Sequence, residues 1–304
     1  MVESMSTAVI VGIVGNVLSV VGIVITNKYL TEIDGYRFMV FLSFLHFMFT
    51  AIGTRILLAL GVFTYKKASP QSVLVVAIGS LLSVAFMNLN LQYNSVGFYQ
   101  LSKLACIPFT LAVQYIFYDQ RVSRGVQLTL IPITLGVGYA TVYDIEMNFV
   151  GTAFATCAVV ATALSQIFTN TYQKSLGCDA LQLLYHTSPM IMTGMIIMCP
   201  FFDDTAALSN YVYSQGATTR IGISCVFALG VNISNYLVLG KTSPLTYQVL
   251  GHMKTILILV IGFTLFNKTI DPRNIVGIVI AMGGVMAYTE VKRQQHLKQA
   301  DLPK

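Results

Sequence analysis

Apolar residues fall along this chain in long runs, each bounded by Gly, Pro, Asn or a charged residue. Ten can be drawn, at 7–30, 38–62, 71–93, 96–118, 125–143, 149–172, 181–202, 219–239, 245–266 and 274–290. A helix crosses the hydrocarbon core of a bilayer with about 20 predominantly apolar residues, and these runs have roughly that length. The pattern therefore predicts an all-α membrane protein of ten transmembrane helices. The loops between the runs are short, so none can hold a separate catalytic domain. The first run follows Glu3 rather than a basic stretch, and no small-residue cleavage site comes after it, so it is expected to remain as a span.

Composition removes the competing classes. Charged residues make up 10% of the 304, against about 25% in an ordinary soluble domain. Hydrophobic residues make up 55%, and the mean hydropathy is +0.72. That is more apolar surface than one water-soluble core buries, and it excludes a disordered or fibrous chain. The five cysteines, 106, 157, 178, 199 and 225, show no CxxC or other metal-binding spacing and are expected as free, mostly buried thiols.

An even number of spans puts both termini on one side, and Lys and Arg identify that side. The terminal face carries Lys66, Lys67, Arg121, Arg124, Lys174, Lys241, Lys292, Arg293, Lys298 and Lys304, whereas the other carries Arg37, Arg220, Lys268 and Arg273. Both termini are therefore expected in the cytosol. Glu32, Asp34, Asp144, Glu146, Asp203, Asp204 and Asp271 lie on the opposite face, in agreement.

Four basic residues remain inside apolar runs: Lys28, Arg55, Lys103 and Lys254. Every acid falls in a loop or at a helix end, so the charge within the runs is entirely positive. An ionisable group in the membrane normally faces a partner or a wet cavity, and cations without nearby acids point to an anionic ligand. The lack of a carboxylate in the runs argues against proton or sodium coupling and favours exchange of one anion for another. Arg55, about two turns from a helix end, can snorkel to the headgroups, and Lys28, in the last turn of its run, has the same escape. Lys103 and Lys254 lie deeper and are the principal candidates.

An internal repeat relates those two lysines. At an offset of 148, Ser95-Val-Gly-Phe-Tyr99-Gln100 aligns with Ser243-Pro-Leu-Thr-Tyr247-Gln248, and Gly136-Val137 with Gly284-Val285. Thr26-Asn27-Lys28-Tyr29 similarly resembles Thr169-Asn170-Thr171-Tyr172. Duplication of a five-span unit inverts the second copy, the plan of secondary transporters with a midplane site. The expected organisation is a first five-helix repeat over 1–145, a second over 146–291, and a basic cytosolic tail over 292–304. Each lysine follows its tyrosine, Tyr99 or Tyr247, by one or two turns on about the same face. Two opposed lysines suit a phosphate or diphosphate, with Thr255 offering a hydroxyl and the tyrosines a ring or a donor. Glycines in the spans are explained by close helix approach, and the same small-residue faces are compatible with a homodimer.

The motifs Asn94-Ser-Val-Gly-Phe-Tyr-Gln-Leu-Ser-Lys103-Leu104, Ile107-Pro-Phe-Thr110, Gly136-Val-Gly-Tyr-Ala-Thr141, Thr169-Asn170, Gln182-Leu-Leu-Tyr185 and Gly240-Lys-Thr-Ser-Pro-Leu-Thr-Tyr-Gln-Val-Leu-Gly-His-Met-Lys254-Thr255 closely resemble the KT group of nucleotide-sugar transporters. That group, with UDP-xylose and UDP-rhamnose/UDP-galactose members, belongs to the triose-phosphate translocator branch of the drug/metabolite transporter superfamily. The resemblance implies the ten-helix drug/metabolite transporter fold and a multi-pass Golgi membrane protein, with the endoplasmic reticulum as the other endomembrane in view. It also implies exchange of a cytosolic UDP-sugar for UMP, with no cofactor and no enzymatic activity. Partners are then these small molecules and membrane lipid, not nucleic acid.

Plastid phosphate translocators carry Lys-Arg where this chain has Lys254-Thr255, which argues against triose-phosphate transport. GDP-mannose transporters carry Gly-Ala-Leu-Asn-Lys where it reads Gly251-His-Met-Lys-Thr255, which argues against GDP-mannose. Their Phe-Tyr-Asn-Asn segment falls near Leu184-Tyr185-His186-Thr187, making Tyr185 and His186 candidates for the nucleoside end. The tetrapeptide at 107–110 leans toward UDP-xylose. Lys28, Tyr99, Lys103, Tyr185, Tyr247, Lys254 and Thr255 are thus the expected substrate-binding residues. The alternatives are an organic phosphate/phosphate exchanger and a non-transporting membrane adaptor whose basic tail meets a coat or anionic lipid. His46, His186 and His252 stand isolated in the sequence and give no sign of catalysis.

Overall fold

The computed structural model describes residues 7–94, 96–141, 149–265 and 272–300. Among them all regular structure is helical: α1 (Thr7–Glu32), α2 (Met39–Ala59), α3 (Pro70–Tyr93), α4 (Val96–Tyr118), α5 (Arg124–Thr141), α6 (Phe149–Ser175), α7 (Ala180–Phe202), α8 (Thr205–Ser209), α9 (Gln215–Lys241), α10 (Pro244–Leu265) and α11 (Pro272–Ala300). Each apolar run falls on one helix, and α8 is a five-residue addition between two of them. By length and composition α1, α2, α3, α6, α9 and α11 can cross a membrane. Leu18, Phe117, Ile197 and Met286 are each at least 60% exposed. Surfaces so apolar are what lipid tails, not water, would cover. Glu3, Ser95, Asp144, Glu146, Lys268, Asp271, Lys304 and the expected repeat boundary at 145/146 lie outside the described residues.

Local chemistry sets where the helices stop. After α2, Gly61 adopts φ +73°, its N–H donating to Leu58 O and that of Val62 to Leu57 O at 3.0 Å each. This left-handed residue closes the last turn at no Cβ cost. Gly177, at φ +56°, does the same after α6. α7 opens on a capping box, in which the Asp179 side chain accepts from Gln182 N while the Gln182 side chain accepts from Asp179 N. Asp203, just past the end of α7, accepts from Phe41 N at 2.7 Å and Val40 N at 3.3 Å, satisfying the first N–H groups of α2. Burial pushes the Asp203 carboxyl above the ordinary carboxylate range, while these donors pull it the other way.

The chain forms two compact units. One comprises residues 1–7, 89–163 and 244–304, the other 8–88 and 164–243. Each therefore takes helices from both ends of the sequence: α4 and α5 join α10 and α11 in the first, while α1 and α2 join α7 and α9 in the second. In the second unit, interhelical hydrogen bonds between polar side chains supplement the apolar clusters. Asn16 donates to Ser234 Oγ at 2.8 Å, Asn232 to Thr50 Oγ1 at 2.9 Å, and His46 Nε2 pairs with Ser224 Oγ at 2.8 Å. Near the ends of α1 and α9, Arg220 grips both Asp34 oxygens at 2.6 and 2.7 Å.

In the first unit, Ile107, Val126, Leu130, Ile133, Leu245, Val249 and Tyr288 form one buried cluster across α4, α5, α10 and α11. α5 and α11 approach backbone to backbone. A Cβ on Gly136 would meet Gly277 O at 2.7 Å and Ala281 Cα at 2.9 Å, with Ala281 N nearer still, and one on Gly284 would meet Ile133 N at 2.8 Å. Lipid tails solvate apolar side chains about as well as a protein core does, so close packing of this kind holds membrane helices together. Gly136→Ala is expected to force α5 and α11 apart at a cost of about 1–3 kcal/mol. The apparent melting temperature should fall, whereas Gly283→Ala, where a Cβ meets nothing within 4 Å and alanine is the better helix former, should hold or raise it.

Candidate functional site

Three contacts fix how α4 lies against α10. Leu104 and Ile256 share one buried cluster, Ile107 shares another with Leu245 and Val249, and Gln248 Nε2 donates to Thr110 Oγ1 at 2.6 Å. The partners run in opposite order along the two helices, so α4 and α10 are antiparallel. Lys103 is seven residues before Thr110 and Lys254 six after Gln248, which at about 1.5 Å per residue puts both lysines about 9–10 Å from the Gln248–Thr110 bond. Antiparallel running makes the two displacements point the same way. The lysines consequently lie at nearly one depth, near enough to feel each other's charge.

Each ammonium lies over the ring of the tyrosine that the repeat pairs with it. Lys103 Nζ is 4.3 Å from the Tyr99 centroid and Lys254 Nζ 5.1 Å from that of Tyr247. The negative face of a ring offsets part of a cation's desolvation while leaving its N–H donors to aim elsewhere. Lys254 is only 7% exposed, a depth that a lysine seldom reaches. Thr255 follows it, its hydroxyl donating back to Gly251 O at 3.3 Å and so retaining a lone pair for another donor. The backbone near Tyr99 is held by a polar network: Ser102 Oγ donates to Tyr99 O at 2.7 Å and accepts from Asn90 Nδ2 at 2.6 Å. Asn94 Nδ2 donates to Asn90 Oδ1 at 2.9 Å and to Gly151 O at 2.8 Å.

Of the seven expected residues, Tyr99, Lys103, Tyr247, Lys254 and Thr255 thus belong to one unit. Lys28 and Tyr185 belong to the other. Lys28 Nζ lies 3.7 Å from Glu32 at the end of α1, so an acid one turn away answers its charge. Tyr185 stands in an aromatic group with Phe63, Tyr65 and His186, at centroid distances of 6.3, 5.9 and 5.4 Å, and Arg55 lies over its ring at 5.5 Å. His186 Nε2 pairs with Lys66 O at 2.8 Å, an anchor for the loop after α2.

Sequence reasoning passed over Gln248, Thr110 and His252. His252, isolated in the sequence, is buried and within electrostatic reach of both lysines. The available signal was spacing, because Leu245, Gln248, Val249, His252 and Ile256 recur at helical intervals on the α10 stripe that faces α4. Chemically, two ammoniums at one depth in a weakly polar place repel each other and attract a multiply charged anion. Among the described residues no group of His, Cys, Asp and Glu could hold a metal ion.

The sequence profile of the Triose-phosphate Transporter family matches residues 11–289. The chain is 38% identical to UDP-xylose transporter 1 of Arabidopsis thaliana, over 94% of its own length and 85% of the relative's. It is 35% identical to UDP-rhamnose/UDP-galactose transporter 1 of the same organism, over 93% and 84%. A solved crystal structure superposes with a TM-score of 0.75 at 12% identity, over 95% of this chain and 99% of the other, a likeness of fold alone.

Removing one of two repelling charges should stabilise the empty protein at the expense of binding. Lys103→Gln is expected to raise the apparent melting temperature of the ligand-free protein by about 1–3 °C. Thr110→Val removes the acceptor of Gln248 and should lower it, by a loss of about 1–3 kcal/mol. Thermal melts of the purified variants check both signs.

Proposed function

The chain belongs to the Triose-phosphate Transporter family, which makes it a membrane transporter and not an enzyme, and on that premise we propose that it exchanges a UDP-sugar for UMP. The observation that carries the reading is the lysine pair at one depth on antiparallel α4 and α10, each ammonium over its own tyrosine. The diphosphate of a nucleotide sugar is an anion of matching charge, and Lys meets phosphate as a point charge. Thr255, Tyr99 and Tyr247 shape the cradle. UDP-xylose is the proposed sugar nucleotide, supported by the Ile107-Pro-Phe-Thr110 tetrapeptide and by the names of the relatives at 38% and 39% identity.

The proposal includes ten spans arranged as two inverted five-helix repeats that work by alternating access. The make-up of each compact unit agrees with that plan: the fourth and fifth long helices join the ninth and tenth, members that such a repeat would relate. Residence in the Golgi membrane with both termini cytosolic follows from the family resemblance and the distribution of Lys and Arg. With no anion present the two ammoniums repel, so a carrier returning empty is disfavoured relative to one returning with UMP. Tyr185 for the nucleoside and Lys28 for phosphate enter the proposal on sequence grounds, each to be judged by its own alanine variant.

Liposomes preloaded with UMP are expected to take up UDP-xylose faster than empty liposomes or liposomes preloaded with phosphate. Equal rates for UMP-loaded and empty vesicles would exclude exchange, and faster uptake with phosphate inside would favour an organic phosphate carrier. Lys254→Ala should abolish uptake while the protein still elutes as a folded species.

A further inference from the structure

One cation of the second unit has no acid to answer it. Arg55, four residues before the end of α2, is exposed, and among the described residues no carboxylate lies within ion-pair distance of it. Its side chain does not reach for the helix end. Nη1 donates to Ala51 O at 2.8 Å, one turn back toward the middle of α2, and the guanidinium carbon lies 5.5 Å from the centroid of the Tyr185 ring. Carbonyl and ring together hold the head at a depth that a snorkelling arginine would leave. Both anchors are neutral, and they use one N–H and one face of a group rich in donors. Its other N–H groups still need acceptors.

The surroundings indicate what supplies them. At about 100° per residue, Ile52, Ile56 and Leu60 fall on one arc of α2 about 80° wide, and they are 49%, 53% and 72% exposed. Val40 and Phe47 point the opposite way, into a buried cluster with Ile191, Met195 and Cys199 of α7. Arg55 falls between the two sides, at the rim of the exposed arc. On a helix long and apolar enough to cross a membrane, that arc faces lipid. An N–H left without an acceptor in hydrocarbon is strongly unfavourable, so the acceptor comes from the bilayer itself. A zwitterionic headgroup answers its phosphate with its own ammonium, whereas an acidic one keeps a net negative charge. The loop after α2 adds two exposed lysines, Lys66 and Lys67. Asp179, the acid nearest to Tyr185 in the sequence, is engaged by Gln182 N as the cap of α7.

We propose that Arg55, over the ring of Tyr185, binds the phosphate of an acidic phospholipid whose acyl chains lie along Ile52, Ile56 and Leu60. A guanidinium meets phosphate through parallel N–H donors while its planar face rests on an aromatic ring, and a free anion would have no use for the aliphatic arc. In the orientation proposed above the lipid comes from the cytosolic leaflet, where acidic lipids are found. The site shares no residue with the lysine pair and needs no nucleotide, so it stands or falls independently of the UDP-sugar reading. Because Tyr185 also enters that reading, Arg55 carries the test.

Lipid retention is measured by native mass spectrometry on the purified full chain, with dioctanoyl phosphatidylinositol, dioctanoyl phosphatidylcholine and glycerophosphoinositol as probes. The wild type should bind phosphatidylinositol about tenfold more tightly than phosphatidylcholine, and Arg55→Gln should reduce that preference to about twofold. Arg121→Gln, which removes the same charge from an exposed arginine of the other unit, should keep it. Glycerophosphoinositol, the same headgroup without acyl chains, should not displace the lipid at equal concentration. A preference that survives Arg55→Gln overturns the proposal, as does a wild type with no preference. So does an equal loss in Arg121→Gln, which would mean diffuse attraction to a basic face, or displacement by glycerophosphoinositol, which would mean a site for soluble anions. If Arg55→Gln does not fold, Arg55→Lys keeps the charge without the planar fork and should cut the preference by about threefold or more. A lysine variant indistinguishable from the wild type then overturns the proposal.

Discussion

Two like charges brought to one depth in a membrane protein separate unless something fixes the helices that carry them. Here the fixing element is neutral. The bond from Gln248 to Thr110 joins α10 to α4 at 2.6 Å, and the buried clusters that Leu104 shares with Ile256, and Ile107 with Leu245 and Val249, agree with the same register. A bond between an amide and a hydroxyl has no long-range field, so it holds its register whether or not an anion is near. Lys103 and Lys254 are thereby held at nearly one depth by contacts that carry no charge.

Much of this was legible in the sequence. The apolar runs locate the long helices to within a few residues, because in a bilayer every backbone group must be satisfied within its own helix and the pattern of hydropathy alone decides where that happens. The spacings i to i+4 from Tyr99 to Lys103 and i to i+7 from Tyr247 to Lys254 place side chains on one face of a helix, and each ammonium does lie over its tyrosine ring. The last helix runs to Ala300 rather than ending near 290, and its polar continuation was invisible to hydropathy. Arg293 bonding Glu290 at 2.9 Å and Gln295 bonding Ser123 supply what apolar pattern does not.

Long-range partnerships were the part that could not be read. Nothing in the neighbourhood of Thr110 announces Gln248, which is 138 residues away. His252 looked solitary because its companions come from another helix and from the other turn of its own. Lys28, in the last turn of its run, was a candidate on sequence grounds, but Glu32 one turn on gives it a local answer. Single-sequence reasoning sees which side chains are unusual for their surroundings, and it sees their neighbours on the same helix. It does not see which of them a second helix completes.

The unbroken course of α11 has a practical consequence. Its 29 residues extend about 44 Å, and Gln295 ties its far end to the loop before α5, so the helix cannot swing independently of the unit that contains the lysine pair. A helical partner fused in phase after Ala300 would turn with that unit as a rigid handle. It would offer electron microscopy a fiducial for a particle otherwise hidden in its micelle, and offer spectroscopy a lever that magnifies small rotations of the unit into large displacements of a probe.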